Sequence, residues 1–87
     1  MIRKEVTVKL AEGLEARPIA LLVQKASQYD SQVYIEVENK QISAKSIMGM
    51  MSLKITEGEK LTVVAEGVDE DVAANGIEAF LSNEGEH

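Results

Sequence analysis

The chain has no cysteine, no tryptophan, one proline and one histidine, and that histidine is the terminal residue, His87. Without cysteine there is neither a disulfide framework nor a thiolate metal site. With histidine confined to the end of the chain, a Ser-His-Asp or Cys-His centre has no base. Aromatic residues make up only 3% of the sequence, so the core must be built from Val, Ile, Leu, Met and Ala. Cations are also in the minority, 9 against 15 acidic residues, for a net charge of −6. Nucleic-acid binding needs a basic stripe and stacking aromatics. Neither is visible, and the same deficit argues against an anionic lipid surface. No apolar run approaches the roughly 18 residues of a membrane span. The opening "MIRKEVTVKL" alternates like a strand and lacks the apolar block of a signal peptide. Cytoplasm is the expected compartment. Gly13 is isolated, so no phosphate-cradling glycine loop is present, and no cluster has metal-ligand spacing. No cofactor is expected, and a self-contained enzyme is not.

What the 87 residues do contain is one small domain, with an ordinary 45% apolar share and a terminal "NEGEH", 83–87, expected to be loose. Val6, Val8 and Leu10 alternate with polar residues and predict a strand over 2–10. "AEG" at 11–13 reads as a turn. Apolar positions 19, 22, 23 and 26 then predict an amphipathic helix over about 16–27, with Pro18 in its first turn. Val33, Ile35 and Val37 predict a second strand, and Asn39-Lys40 a tight turn into a short third strand near 41–44. Ser46 precedes "IMGMM" as an N-cap would. "TEGE" at 56–59 is a turn, and Leu61, Val63 and Ala65 mark a fourth strand. Asp69 is expected to cap a last helix with Val72, Ala73, Ile77 and Phe80 on its inner face. Gly76 inside that helix predicts fraying or close packing. The acidic run 69–71 suits a helix N-terminus better than a metal. The order is β-α-β-β-α-β-α, an antiparallel α+β sheet with one covered face, for which pattern alone suggests a ferredoxin-like sandwich.

Three features carry possible chemistry. Glu15 and Arg17 flank the start of the first helix, where a carboxylate is favoured by the helix dipole. Ser46 is a capping serine. Ile47, Met48, Met50 and Met51 crowd a helix too short to bury them all, and exposed thioethers suit a partner surface. Taken singly, each has an ordinary structural reading.

Taken together, "GLEARP", "VQKASQYDSQV" and "SIMGMMSL" resemble the HPr family of bacterial phosphocarrier proteins over roughly residues 1–84. The resemblance implies an open-faced β-sandwich, four antiparallel strands covered on one face by three helices. In that family a histidine between "GL" and "ARP" relays phosphoryl groups to sugar permeases; here the position is Glu15. The chain is most similar to the Crh branch, associated with catabolite repression, which also lacks the histidine but has glutamine in its place. The resemblance implies that Ser46 is the serine phosphorylated by an ATP-dependent HPr kinase/phosphorylase. Arg17, Ile47, Met48 and Met51 match the contact surface for a LacI-type catabolite control repressor, which would make the DNA contacts itself. The implied state is a monomer or weak homodimer. Two other readings stay open: phosphotransfer in the phosphoenolpyruvate-dependent sugar system through Glu15 as an acyl-phosphate carrier, and a binding module that is never phosphorylated. A further reading has Glu15 as a permanent partial mimic of a phosphohistidine, altering which partners tolerate the surface formed by residues 15, 17, 47 and 51.

Overall fold

The computed structural model describes residues 1–10 and 16–82, the side chain of Ala16 excepted. The expected turn at 11–13, Glu15 and the tail 83–87 lie outside the described residues. Strands β1 (Ile2–Thr7), β2 (Gln32–Val37), β3 (Lys40–Ser43) and β4 (Lys60–Glu66) alternate with helices α1 (Ala16–Ser27), α2 (Ile47–Met51) and α3 (Glu70–Leu81). The sheet order is β1-β4-β2-β3, and every ladder is antiparallel. A ferredoxin-like unit would place β3 in the gap between β1 and β2; here β4 fills it. Burial gives the reason. Val63, Val64 and Ala65 of β4 are all buried, whereas β3, Lys40-Gln41-Ile42-Ser43, has no fully buried residue. The most apolar strand belongs in the middle, and the most polar one tolerates an edge.

On one face of the sheet, Val6, Val33, Ile35, Leu61, Val63 and Ala65 meet Ile19, Leu22 and Ala26 of α1 and Ala73, Ala74, Ile77 and Leu81 of α3 in one core. The other face is polar, with Arg3 forking onto Glu36 and Gln41 donating to the same carboxylate. Such exposed pairs contribute little, but Arg3 and Tyr34 flank Val64 in register and cover it.

Four details differ from the sequence pattern. β1 stops at Thr7 rather than residue 10, because Lys9 donates its N–H to the Leu81 carbonyl at 2.8 Å, satisfying an orphan acceptor at the end of α3. The hairpin turn is Glu38-Asn39, not Asn39-Lys40, since Lys40 already pairs with Val37. Glu38 has φ 56, a conformation that costs a residue with a Cβ. Glu38→Gly is therefore expected to stabilise the protein by about 0.5–1 kcal/mol, after the extra chain entropy of glycine is subtracted; chemical unfolding of the two proteins measures it.

Val72 faces outward instead of inward. The small Ala73–Ala74 pair lets α3 sit close on the sheet, and Val72 is rotated about 100° from that contact line. Phe80 is half-buried against the core edge. Asp69 occupies the N-cap position, yet its carboxylate does not cap α3. It accepts instead from the Asp30 N–H at 3.0 Å, the Ser31 N–H at 2.9 Å and the Ser31 hydroxyl, tying the α1–β2 loop to the start of α3. Gly67 and Gly76 permit the approach. A Cβ on Gly67 would lie 2.7 Å from Ser31 Cα, and one on Gly76 would lie 2.0 Å from the Tyr29 hydroxyl, so the Gly76 turn is closely packed rather than frayed.

The Ser31 hydroxyl, then the Asp30 N–H, hold the Asp69 carboxyl below its ordinary value of 3.8. The native state prefers the charged form, so this contribution is complete above the unfolded value. It drains away as pH falls through the lower native value. Urea midpoints measured from about pH 5 down to about pH 2.5 are expected to fall more steeply for the parent than for Asp69→Asn.

Candidate functional site

The site is assembled at the start of α2. Ser46 is extended, φ −106 and ψ 108, and its Oγ accepts the Gly49 N–H at 3.1 Å while its carbonyl accepts the Met50 N–H at 2.9 Å. The expected N-cap is therefore present, and it leaves the hydroxyl at the surface. The N–H groups of Ile47 and Met48 have no protein partner among the described residues. Oriented donors beside an exposed hydroxyl favour negative charge.

Five residues cannot hold a helix by propensity. Tertiary contacts hold this one. Gly49 lets it settle onto β3: a Cβ there would be 2.9 Å from Ile42 Cγ2. Met50 is fully buried in the core. At the far end Ser52 Oγ donates to the Gly49 carbonyl at 2.6 Å. On the approach, the Ala44 N–H donates to the Val33 carbonyl at 2.8 Å, and Lys45 Nζ donates to the Tyr29 carbonyl at 2.7 Å. Sequence patterning did not single out Lys45, because its acceptor is a backbone oxygen sixteen positions away. Ser52 does carry a legible signal, a small polar residue just beyond the helix.

With Met50 turned inward, the other apolar side chains of α2 point out: Met48 is 82% exposed, Met51 55% and Ile47 44%. They form an apolar surface beside Ser46, as the crowded "IMGMM" predicted. Arg17 is exposed in the first turn of α1, and α1 packs directly on α2, so Arg17 lies in the same helical layer. Glu15 lies outside the described residues. No group of three His, Cys, Asp or Glu residues able to hold a metal occurs among the described residues. No described helix is long and apolar enough to cross a membrane.

The chain has relatives among known proteins. The family model described as "PTS HPr component phosphorylation site" matches residues 2–83. The HPr-like protein Crh of Halalkalibacterium halodurans is 48% identical over 84 residues, which is 97% of this chain and 100% of that protein. Among solved structures, HPr-C-His from Thermoanaerobacter tengcongensis superposes with a TM-score of 0.90 at 40% identity, covering 97% of this chain and 94% of that one. A crystal structure of Bacillus subtilis Crh, reported as a domain-swapped dimer, gives a TM-score of 0.77 at 42% identity, with 95% of each chain covered.

Proposed function

The chain belongs to the HPr family, and from that premise we propose that it is a regulatory phosphoacceptor of the Crh type, switched at Ser46 by an ATP-dependent HPr kinase/phosphorylase. Its relatives are named as phosphocarrier and HPr-like proteins rather than enzymes. The observation that carries the reading is the α2 N-terminus: a surface hydroxyl at the cap, N–H groups of Ile47 and Met48 with no partner among the described residues, and a firm attachment beneath it. A phosphoryl group there adds about −1.5 to −2 charge where the backbone favours it. The fold tolerates the modification, and the new charge sits beside Met48, Met51 and Ile47.

That pairing defines the partner. A protein offering cations for the phosphate and an apolar pocket for the thioethers distinguishes the phosphorylated form from the unmodified one. A LacI-type catabolite control repressor is the proposed partner, with Arg17 a further contact, and it supplies the DNA contacts that an acidic chain of net charge −6 cannot. Glutamate at position 15 removes histidine-based phosphotransfer, so the regulatory branch is favoured over sugar transport. The domain-swapped form of the Bacillus subtilis relative makes a homodimer the quaternary state to look for. We assign the whole of 1–87 to this single domain.

The test is intact mass after incubation with ATP and an HPr kinase/phosphorylase. One phosphoryl group on the parent and none on Ser46→Ala is the expected result. The phosphorylated parent, and not the unmodified one, is then expected to bind the repressor. Phosphate retained on Ser46→Ala, or no phosphate on either protein, defeats the assignment.

A further inference from the structure

Sulfur enters this chain only as thioether. There is no cysteine, and the four methionines are Met1, Met48, Met50 and Met51. A peroxide reaching the protein therefore meets no competing thiol, and methionine is the most readily oxidised side chain present. Three of the four belong to α2, and the fold treats them differently. At about 100° per residue, Ile47, Met51 and Met48 follow one another across one side of the helix, while Met50 stands nearly opposite Met48. Met48 and Met51 are exposed, and Met50 is fully buried in the core. One short helix thus carries two thioethers open to a dissolved oxidant and one shielded from it.

We propose that Met48 and Met51 are a reversible oxidation site beside Ser46, which sets how apolar that surface is. The oxidant is hydrogen peroxide or an alkyl hydroperoxide. The thioether sulfur attacks the terminal oxygen, so an S–O bond forms as the O–O bond breaks. Sulfur gives up two electrons and becomes a sulfoxide. The proton of the attacked oxygen passes to the leaving oxygen, which departs as water or alcohol. Each product puts a polar, hydrogen-bond-accepting group where a flexible apolar side chain stood, and loses the character that suits an apolar pocket. The support of α2 is untouched. Met50 stays in the core, Ser46 Oγ keeps the Gly49 N–H, and Ser52 Oγ keeps the Gly49 carbonyl. None of these contacts uses the Met48 or Met51 side chain. Oxidation therefore changes the surface without unseating the helix, and leaves the Ser46 hydroxyl open to a kinase. A dithiol-dependent methionine sulfoxide reductase reverses the step: the oxygen leaves as water and the dithiol closes to a disulfide. The effect on a partner rests on the phosphoacceptor reading; the selective oxidation does not.

The experiment treats the folded full chain with hydrogen peroxide, digests it with trypsin and locates the added oxygens by mass spectrometry. The peptide 46–54, bounded by Lys45 and Lys54, contains all three methionines of α2, and fragmentation assigns each oxygen. Oxygen is expected on Met48 and Met51, sooner on Met48, the more exposed of the two. Met50 is expected to take one only in urea. The melting temperature is expected to hold after treatment, and the oxidised protein to elute earlier in hydrophobic-interaction chromatography. Met48→Leu/Met51→Leu has no sulfur at these positions, so peroxide is expected to shift its retention far less, Met1 being common to both proteins. Once phosphorylated on Ser46, the oxidised parent is expected to bind the repressor about tenfold or more weakly than the unoxidised one, and reductase treatment to restore the affinity. Oxidation of Met50 in the folded protein as fast as of Met48, unfolding on treatment, an equal retention shift in the leucine variant, or an unaltered repressor affinity would overturn the proposal. If the unoxidised protein accepts no phosphate, or does not bind the repressor when phosphorylated, the phosphoacceptor reading falls instead, and the mass and retention measurements decide the oxidation site by themselves.

Discussion

Met50→Ala is expected to lower the unfolding free energy by about 3 kcal/mol, whereas Met48→Ala, two positions away, is expected to change it by less than about 0.5 kcal/mol. The two residues share a type and a helix but not an environment. Met50 is the one buried residue of α2, while Met48 is 82% exposed. Truncating Met50 removes the transfer free energy of its side chain and leaves a void beneath a helix of five residues that has no stability of its own. The cap goes with it, because Ser46 Oγ has the Gly49 N–H as its partner only while α2 is docked. Urea unfolding of the two variants, together with hydrogen exchange at Gly49, measures both effects. Equal destabilisation by the two substitutions would mean that α2 is not seated through Met50. The same experiment separates the two positions: Met48→Ala leaves the fold intact for a binding assay, and Met50→Ala acts on the site only by releasing its support.

Gly67→Ala is expected to cost a similar amount, about 3 kcal/mol, which in a chain of this length lowers Tm by about 15 °C. The added methyl would stand 2.7 Å from Ser31 Cα and 2.7 Å from Ser31 Oγ. One of those atoms is backbone, so no rotamer change relieves the clash. Ser31→Ala removes the hydroxyl but not the Cα, and is expected to rescue Gly67→Ala only in part. The backbone at Gly67, φ 151, is also one that residues with a Cβ rarely adopt. Thermal melts of the single and double variants form a cycle whose coupling reports the contact directly. Full rescue by Ser31→Ala would place the clash on the hydroxyl alone. The contact matters locally as well, because separating Gly67 from Ser31 strains the Asp69 bonds to the 30–31 backbone that join the α1–β2 loop to the start of α3.

Position in the sheet was not legible in the same way as strand identity. Alternation in "VYIEV" is a property of consecutive residues, so that strand and its inner face can be read directly, whereas "VTVKL" goes on alternating for three residues beyond the end of β1. That β4 rather than β3 lies between β1 and β2 depends on comparing the burial each strand can sustain, which becomes clear only when all four are packed. Asp69 makes the same point. A helix-start carboxylate predicts capping of its own helix, and the local reading was sound as far as position goes. Its hydrogen-bonding partners came instead from Ser31 and Asp30, 38 and 39 residues earlier. Val72 was misplaced for a related reason: helical spacing says which residues share a face, but not which of two neighbouring faces a close Ala–Ala contact turns inward.

By itself the sequence determined that this protein is a small acidic α+β domain with neither a histidine base nor a thiolate. It also identified Ser46 as a helix cap and, through "GLEARP" and "SIMGMMSL", pointed to the HPr family with a glutamate where the relay histidine stands. Those properties reside in residue types and short spacings. The tertiary structure decided which methionine of "IMGMM" supports α2 and which ones stay exposed, where Asp69 spends its carboxylate, and that Val68 and Val72 face solvent. A five-residue helix has no face of its own until a core claims one side of it, and hydrogen bonds across nearly forty residues leave no mark in local sequence.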